Sequence, residues 1–211
     1  MTDRFRSGGV LACLLLVLGG AACSAPEPGI SRGAALWGNC VPCHGASGEG
    51  NQALGAPAIA GLPQWHVQYQ LESFNKGWRG SHPMDTIGIR MKSMARTLRL
   101  EGDLESVSEY VASLPPVALP AILPGDPALG QQEYAFCSAC HGPEGKGIEA
   151  AGYPPLAGQS DWYLLAQYEK FLNGKRGNHP DDVNGGMMAT NARTRPLDTV
   201  ANVFAYIRTL Q

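Results

Sequence analysis

The chain has 211 residues, with 16 basic and 18 acidic side chains and a formal net charge of −2. That length admits one large domain or two small ones. The near-neutral balance excludes the basic footprint of a nucleic-acid-binding protein. Its 27 glycines and 16 prolines predict long irregular segments between regular elements.

The N-terminus reads as a secretory signal over residues 1–23. Arg4 and Arg6 precede an apolar run, Val10 to Leu18, and small residues lead to Cys23. The run is too short to cross a bilayer, which takes about 20 apolar residues. Small residues before Cys23 and a polar tether after it (residues 24–30) resemble a lipoprotein signal, in which Cys23 would carry the lipid. Gly20 stands where such signals usually carry Leu. Ordinary cleavage nearby, after Ala25, is the other reading.

The first predicted helix, Ser31 to Cys40, runs into Cys40-Val-Pro-Cys43-His44. A middle helix follows from about Gln64 to Lys76. The next stretch, residues 79–98, is rich in glycine and polar residues and reads as a loop. It holds His82, Met84, Met91 and Met94. Asp103 to Leu114 reads as a helix, with Leu104, Val107 and Val111 on one face. The proline-rich stretch PPVALPAILPGD then forms a short, semi-rigid connector. Beyond it the pattern returns: a helix from Pro127 to Cys137, the motif Cys137-Ser-Ala-Cys140-His141, and helices over Asp161 to Leu172 and Leu197 to Leu210. No stretch shows strand alternation, so the fold class is all-α.

Six cysteines are present. Cys13 would leave with the signal and Cys23 marks the cleavage point. The other four form the two CxxC pairs. An exported chain could use four cysteines as disulfides, but the histidine after each pair indicates c-type haem attachment. Two thioether bonds hold one edge of the macrocycle, and the adjacent histidine supplies the proximal iron ligand. Zinc ribbons place their CxxC pairs roughly 15–20 residues apart; here the offset is 97. A thioredoxin-like motif would need a strand that the sequence lacks.

The same offset of 97 relates Gly33 to Gly130, Pro57 to Pro154, Gln70 to Gln167, Arg79 to Arg176 and His82 to His179. The register is gapless from Gly33 to Thr97. One residue is then dropped, and Tyr110 matches Tyr206. Two homologous domains are therefore expected, over residues 31–115 and 125–211, joined by linker 116–124. Domains of this size bury little core unaided, and one haem in each would supply the missing apolar surface.

The repeat also selects a methionine. Met84 falls opposite Asp181, Met94 opposite Asn191, and Met187 opposite Arg90. Only Met91 and Met188 are methionine in both copies. They are the candidate second axial ligands, with His44 and His141 as the first. Met94 and Met187 are the nearest competitors, and most methionines simply fill core gaps. His82 and His179 could instead give bis-His haems, although His-Pro more often makes a turn. Arg79 and Arg176 are candidates for haem propionate contacts; solvated surface arginines are the equal alternative.

These features resemble class I cytochromes c, and more closely the dihaem cytochrome c4 family. The resemblance rests on the two CxxCH motifs, the steps Pro57-Ala-Ile-Ala-Gly61 and Pro154-Pro-Leu-Ala-Gly158, the methionine segments and the Tyr-bearing final helices. It implies two tandem cytochrome c domains, each wrapped around one covalent haem c attached through Cys40 and Cys43 or Cys137 and Cys140. It also implies that the Pro57 and Pro154 carbonyls accept from the proximal histidines. Gly33 with Trp37, and Gly130 with Tyr134, would contact the final helices at Tyr110 and Tyr206.

The function so implied is single-electron transfer between a redox protein donor and acceptor, outside the cytoplasmic membrane in the periplasm. Two rivals follow. One is a subunit anchored through Cys23 beside a membrane oxidase or dehydrogenase. The other is a dihaem peroxidase-like enzyme, which the paired methionines oppose because catalysis needs an open iron site. Residues 29–114 carry seven acidic and seven basic residues, and 125–211 carry nine and seven. That difference names no partner.

Overall fold

The computed structural model describes residues 27–210. The signal segment, with Cys13 and Cys23, and residues 24–26 of the tether lie outside the described residues. Nine α-helices order the described chain: α1 (Ile30–Trp37), α2 (Val41–His44), α3 (Gln64–Asn75), α4 (Thr86–Ala95), α5 (Asp103–Ser113), α6 (Pro127–His141), α7 (Asp161–Leu172), α8 (Val183–Ala192) and α9 (Leu197–Ile207). Extended pairing among the described residues is limited to two isolated bridges, Asn51 with Ala56 and Ile148 with Tyr153. They occupy equivalent places in the repeat.

Each half packs its first helix against its last and adds the middle helices beside them: α1 on α5 with α3 and α4, then α6 on α9 with α7 and α8. The first core gathers Trp37, Leu71, Phe74, Val107 and Val111. The second gathers Tyr134, Tyr168, Phe171, Val203 and Ile207. Full burial of one such side chain is worth about 1.5–3 kcal/mol.

The first and last helices cross where glycine permits it. A Cβ at Gly33 would collide with the Ser106 carbonyl, and one at Gly130 with the Asn202 carbonyl. The backbones therefore touch, and the neighbouring aromatic pairs close the crossing: Trp37 with Tyr110 at 5.8 Å between centroids, and Tyr134 with Tyr206 at 5.3 Å.

The methionine segments correct the sequence reading. They are helices α4 and α8, not loops. Each starts at an aspartate N-cap: Asp85 Oδ1 accepts from the Gly88 N–H at 3.0 Å, and Asp182 Oδ1 from the Gly185 N–H at 2.9 Å. A capping carboxylate satisfies one of the free N–H groups of the first turn. That contribution offsets the low helix propensity of Gly88, Gly185 and Gly186.

Candidate haem sites at the CxxCH motifs

Both CxxCH motifs end a helix. In the second half one continuous helix, α6, carries Cys137, Cys140 and His141. In the first half Gly38 and Asn39 interrupt the path, and the short helix α2 restarts with Pro42 in its first turn. Proline is tolerated there because its missing N–H would have had no helical partner. Neither cysteine pair forms a disulfide.

His44 and His141 are buried and held alike. His44 Nδ1 donates to the Pro57 carbonyl at 2.9 Å, and His141 Nδ1 to the Pro154 carbonyl at 2.8 Å. The prolines come this close because Gly50 and Gly147 lie behind them with φ of 80° and 77°. A Cβ on either glycine would strike the backbone at the proline. With Nδ1 engaged, each ring leaves Nε2 available for a metal, and the hydrogen bond fixes its orientation. Burial lowers both imidazole pKa values, while the proline bonds oppose that shift. The neutral, ligating form is thereby favoured.

A cavity of ≈ 570 Å³ opens beside the second motif. Cys137, Cys140, His141 and Met188 all line it, together with apolar side chains such as Leu164 and Phe204. This is ligand-sized space with mostly apolar walls and a few converging polar groups. Two thiols, an imidazole and a thioether on one cavity fit a covalent haem c. Met187 also reaches the cavity but is 41 % exposed, whereas Met188 packs against the core. In the first half Met91 packs against the core alongside Cys40.

His82 and His179 sit in turns, partly exposed, away from that cavity. Their Nδ1 atoms accept from the N–H groups of Met84 and Asp181 at 3.1 and 3.2 Å.

Arg79 is buried, which excludes the solvated reading for it. It meets Arg176 across the seam between the halves. Arg79 donates to Gln70 of its own half, and to Gln167 at 3.0 Å and Tyr163 at 3.1 Å in the other. Arg176 donates to Gln167 at 3.2 Å and back across to Gln70 at 3.3 Å. An ion pair, Lys170 with Asp85 at 2.7 Å, supports the same seam. Sequence reasoning paired Arg79 with Arg176 and Gln70 with Gln167, but only the docked halves bring all four together.

The family model for cytochrome c matches residues 30–115 and again 127–211. The chain is 34% identical over 178 residues to a thiosulfate dehydrogenase electron acceptor of Stutzerimonas stutzeri, covering 79% of this chain and 76% of that one. It is 32% identical over 190 residues to cytochrome c4 of Stutzerimonas stutzeri, covering 82% and 86%. Among solved structures it resembles the thiosulfate dehydrogenase TsdBA of Marichromatium purpuratum, with a TM-score of 0.67 and 32% identity. That match covers 85% of this chain and spans only 40% of the TsdBA chain. Two tandem cytochrome c domains, each with its CxxCH motif, carry two covalent haem c groups, and the chain belongs to the dihaem, cytochrome c4-like branch of the cytochrome c family.

Proposed function

We propose that this protein carries single electrons between redox proteins outside the cytoplasmic membrane, through two haems of His/Met ligation. His44 and Met91 serve the first iron, and His141 and Met188 the second. The observation that carries this reading is the shared cavity wall of Cys137, Cys140, His141 and Met188. Each haem, when bound, supplies reversible ferric–ferrous exchange.

The chain's own residues then do three things. The cysteines fix the ring edge. The proline carbonyls hold each imidazole in one orientation, so little rearranges on electron transfer. The methionine thioether favours the ferrous form relative to a second histidine.

Similarity to a thiosulfate dehydrogenase electron acceptor, and to TsdBA, supports a dehydrogenase as the electron source. Such redox encounters are small and transient. The sequence of the signal supports periplasmic delivery, with Cys23 as a lipid attachment point; a mass shift on Cys23 tests the anchor.

Near-infrared magnetic circular dichroism of the ferric protein, calibrated against total haem, tests the ligation. Two His/Met signals per chain are expected. Met91→Ala should remove one and Met188→Ala the other, each leaving a high-spin haem. A bis-His signal would transfer the role to His82 or His179. A high-spin haem in the unsubstituted protein would favour an enzyme.

A further inference from the structure

The seam cluster is nearly symmetric, and the place where the symmetry fails carries information. The 97-residue offset maps Gln70 onto Gln167, Arg79 onto Arg176, and His66 onto Tyr163. Tyr163 completes its side by accepting from Arg79 at 3.1 Å. His66 does not complete the other. Its Nδ1 is buried without a hydrogen-bond partner, and so is the Nε of Arg176. His66 itself is 8 % exposed.

A buried polar atom without a partner costs roughly 1–3 kcal/mol, so two together call for a group that completes them. The charge points the same way. Two guanidinium groups converge on two amide oxygens, and neither makes a salt bridge among the described residues. Burial and the neighbouring Arg79 both oppose the charge on Arg176, with Tyr163, Asp182 and Tyr69 giving partial relief. Asp85 is engaged by Lys170 and the α4 N-terminus, and Asp182 by the α8 N-terminus. An anion with more than one acceptor atom would complete both groups.

Its origin follows from the cavity. His66, Gln70, Arg79 and Arg176 line the same continuous space as Cys137, Cys140, His141 and Met188. First-domain side chains therefore form part of the wall around the second motif. Haem carries two propionate carboxylates, and the cysteines fix which way they face.

We propose that His66 of the first domain, with Arg176, donates a hydrogen bond to a propionate of the haem held by the second domain, and thereby sets that haem's potential. This rests on the haem assignment above. Burial first, and then repulsion from Arg79 and Arg176, opposes a positive charge on the imidazole. A neutral ring protonated at Nδ1 is then the donor. His66 is a positioning and potential-setting residue, contributed across the seam. A donor on a propionate withdraws negative charge from the haem and favours the ferrous form.

The test is spectroelectrochemical titration of the full, haem-loaded protein carrying His66→Phe, His66→Gln or no change. Titration on a Met91→His background isolates the second haem. His66→Phe should shift its ferric/ferrous ratio toward ferric by about threefold to tenfold, the upper end being 59 mV for one electron. The first haem should stay within twofold. His66→Gln, which keeps an N–H, should recover most of the loss. An unmoved second haem, or equal shifts in both, overturns the assignment.

Nitrogen NMR of the fully reduced, unsubstituted protein tests the same point without a variant: Nδ1 of His66 should carry a proton, and a bare Nδ1 overturns the proposal. Magnetic circular dichroism separates the two levels of failure. Intact His/Met signals with an unmoved potential defeat only the role of His66, whereas absent His/Met signals defeat the ligation beneath it.

Discussion

The two halves reach the same crossing by different local means. The second half runs one helix from Pro127 to His141. The first breaks the equivalent path into α1 and α2 at Gly38 and Asn39, where the second has Ala135 and Phe136. Yet His44 and His141 donate to their prolines at 2.9 and 2.8 Å. The backbone carrying the motif can therefore differ while the histidine geometry is kept. What is held fixed is the glycine behind the proline and the proline carbonyl, because those atoms touch the ring.

The buried ion pairs differ as well. Arg32 and Asp103 pair at 2.6 Å in the first half, with side chains only 8% and 4% exposed. Leu129 and Thr199 take those places in the second half. The second half instead pairs Arg208 with Asp161 at 2.7 Å. Each half thus solves polar burial privately, and neither pair belongs to the shared design.

That contrast can be broken directly. Arg32→Leu leaves Asp103 buried without its partner and should destabilise the first domain by about 3–5 kcal/mol. Adding Asp103→Thr, which copies the second half at both places, should recover most of the loss. Urea unfolding followed at the Trp37 signal would measure both, and an uncorrected double variant would show that the pair does more than balance charge.

A smaller effect separates the two caps. Asp182→Ala should cost about 0.5–2 kcal/mol, the usual range for a lost N-cap. Asp85→Ala should cost more, because Asp85 also holds Lys170 of the second half at 2.7 Å. The excess should vanish in a Lys170→Met background. Equal costs in the two halves would mean that the seam pair contributes nothing net.

The smallest effect concerns the helix break. Gly38 has ordinary helical angles and open space where a Cβ would go. Gly38→Ala should stabilise the first domain by about 0.4–1 kcal/mol, mainly by restricting the unfolded chain. A loss of stability, in the same unfolding experiment, would show that the break between α1 and α2 is needed.

Several elements were legible before the fold was known. The CxxCH motifs announce thiols and an imidazole at fixed chemical spacing. Gly33 and Gly130 announce the crossing, since only glycine lets the backbones touch. Met91 and Met188 stand out because the repeat holds methionine at both places. The helicity of α4 and α8 was missed for a local reason: glycine and polar residues lower helix propensity, and the compensating signal was a single capping aspartate at each start. Asp85 and Asp182 match across the repeat, so that signal was present but easy to pass over.

The seam was of another kind. Arg79, Gln70, Arg176 and Gln167 repeat in sequence, but repetition does not say that the four meet. Nor does it say that His66 would be enclosed with Nδ1 unpartnered while Tyr163, in the equivalent place, finds Arg79.

By itself the sequence determined the covalent chemistry, the duplication and the all-α class, because these depend on residue type and spacing along one chain. Only the tertiary structure decided which side chains of one half line the cavity of the other. That depends on how two separately folded surfaces dock, through contacts such as Arg79 with Gln167, which lie 88 residues apart.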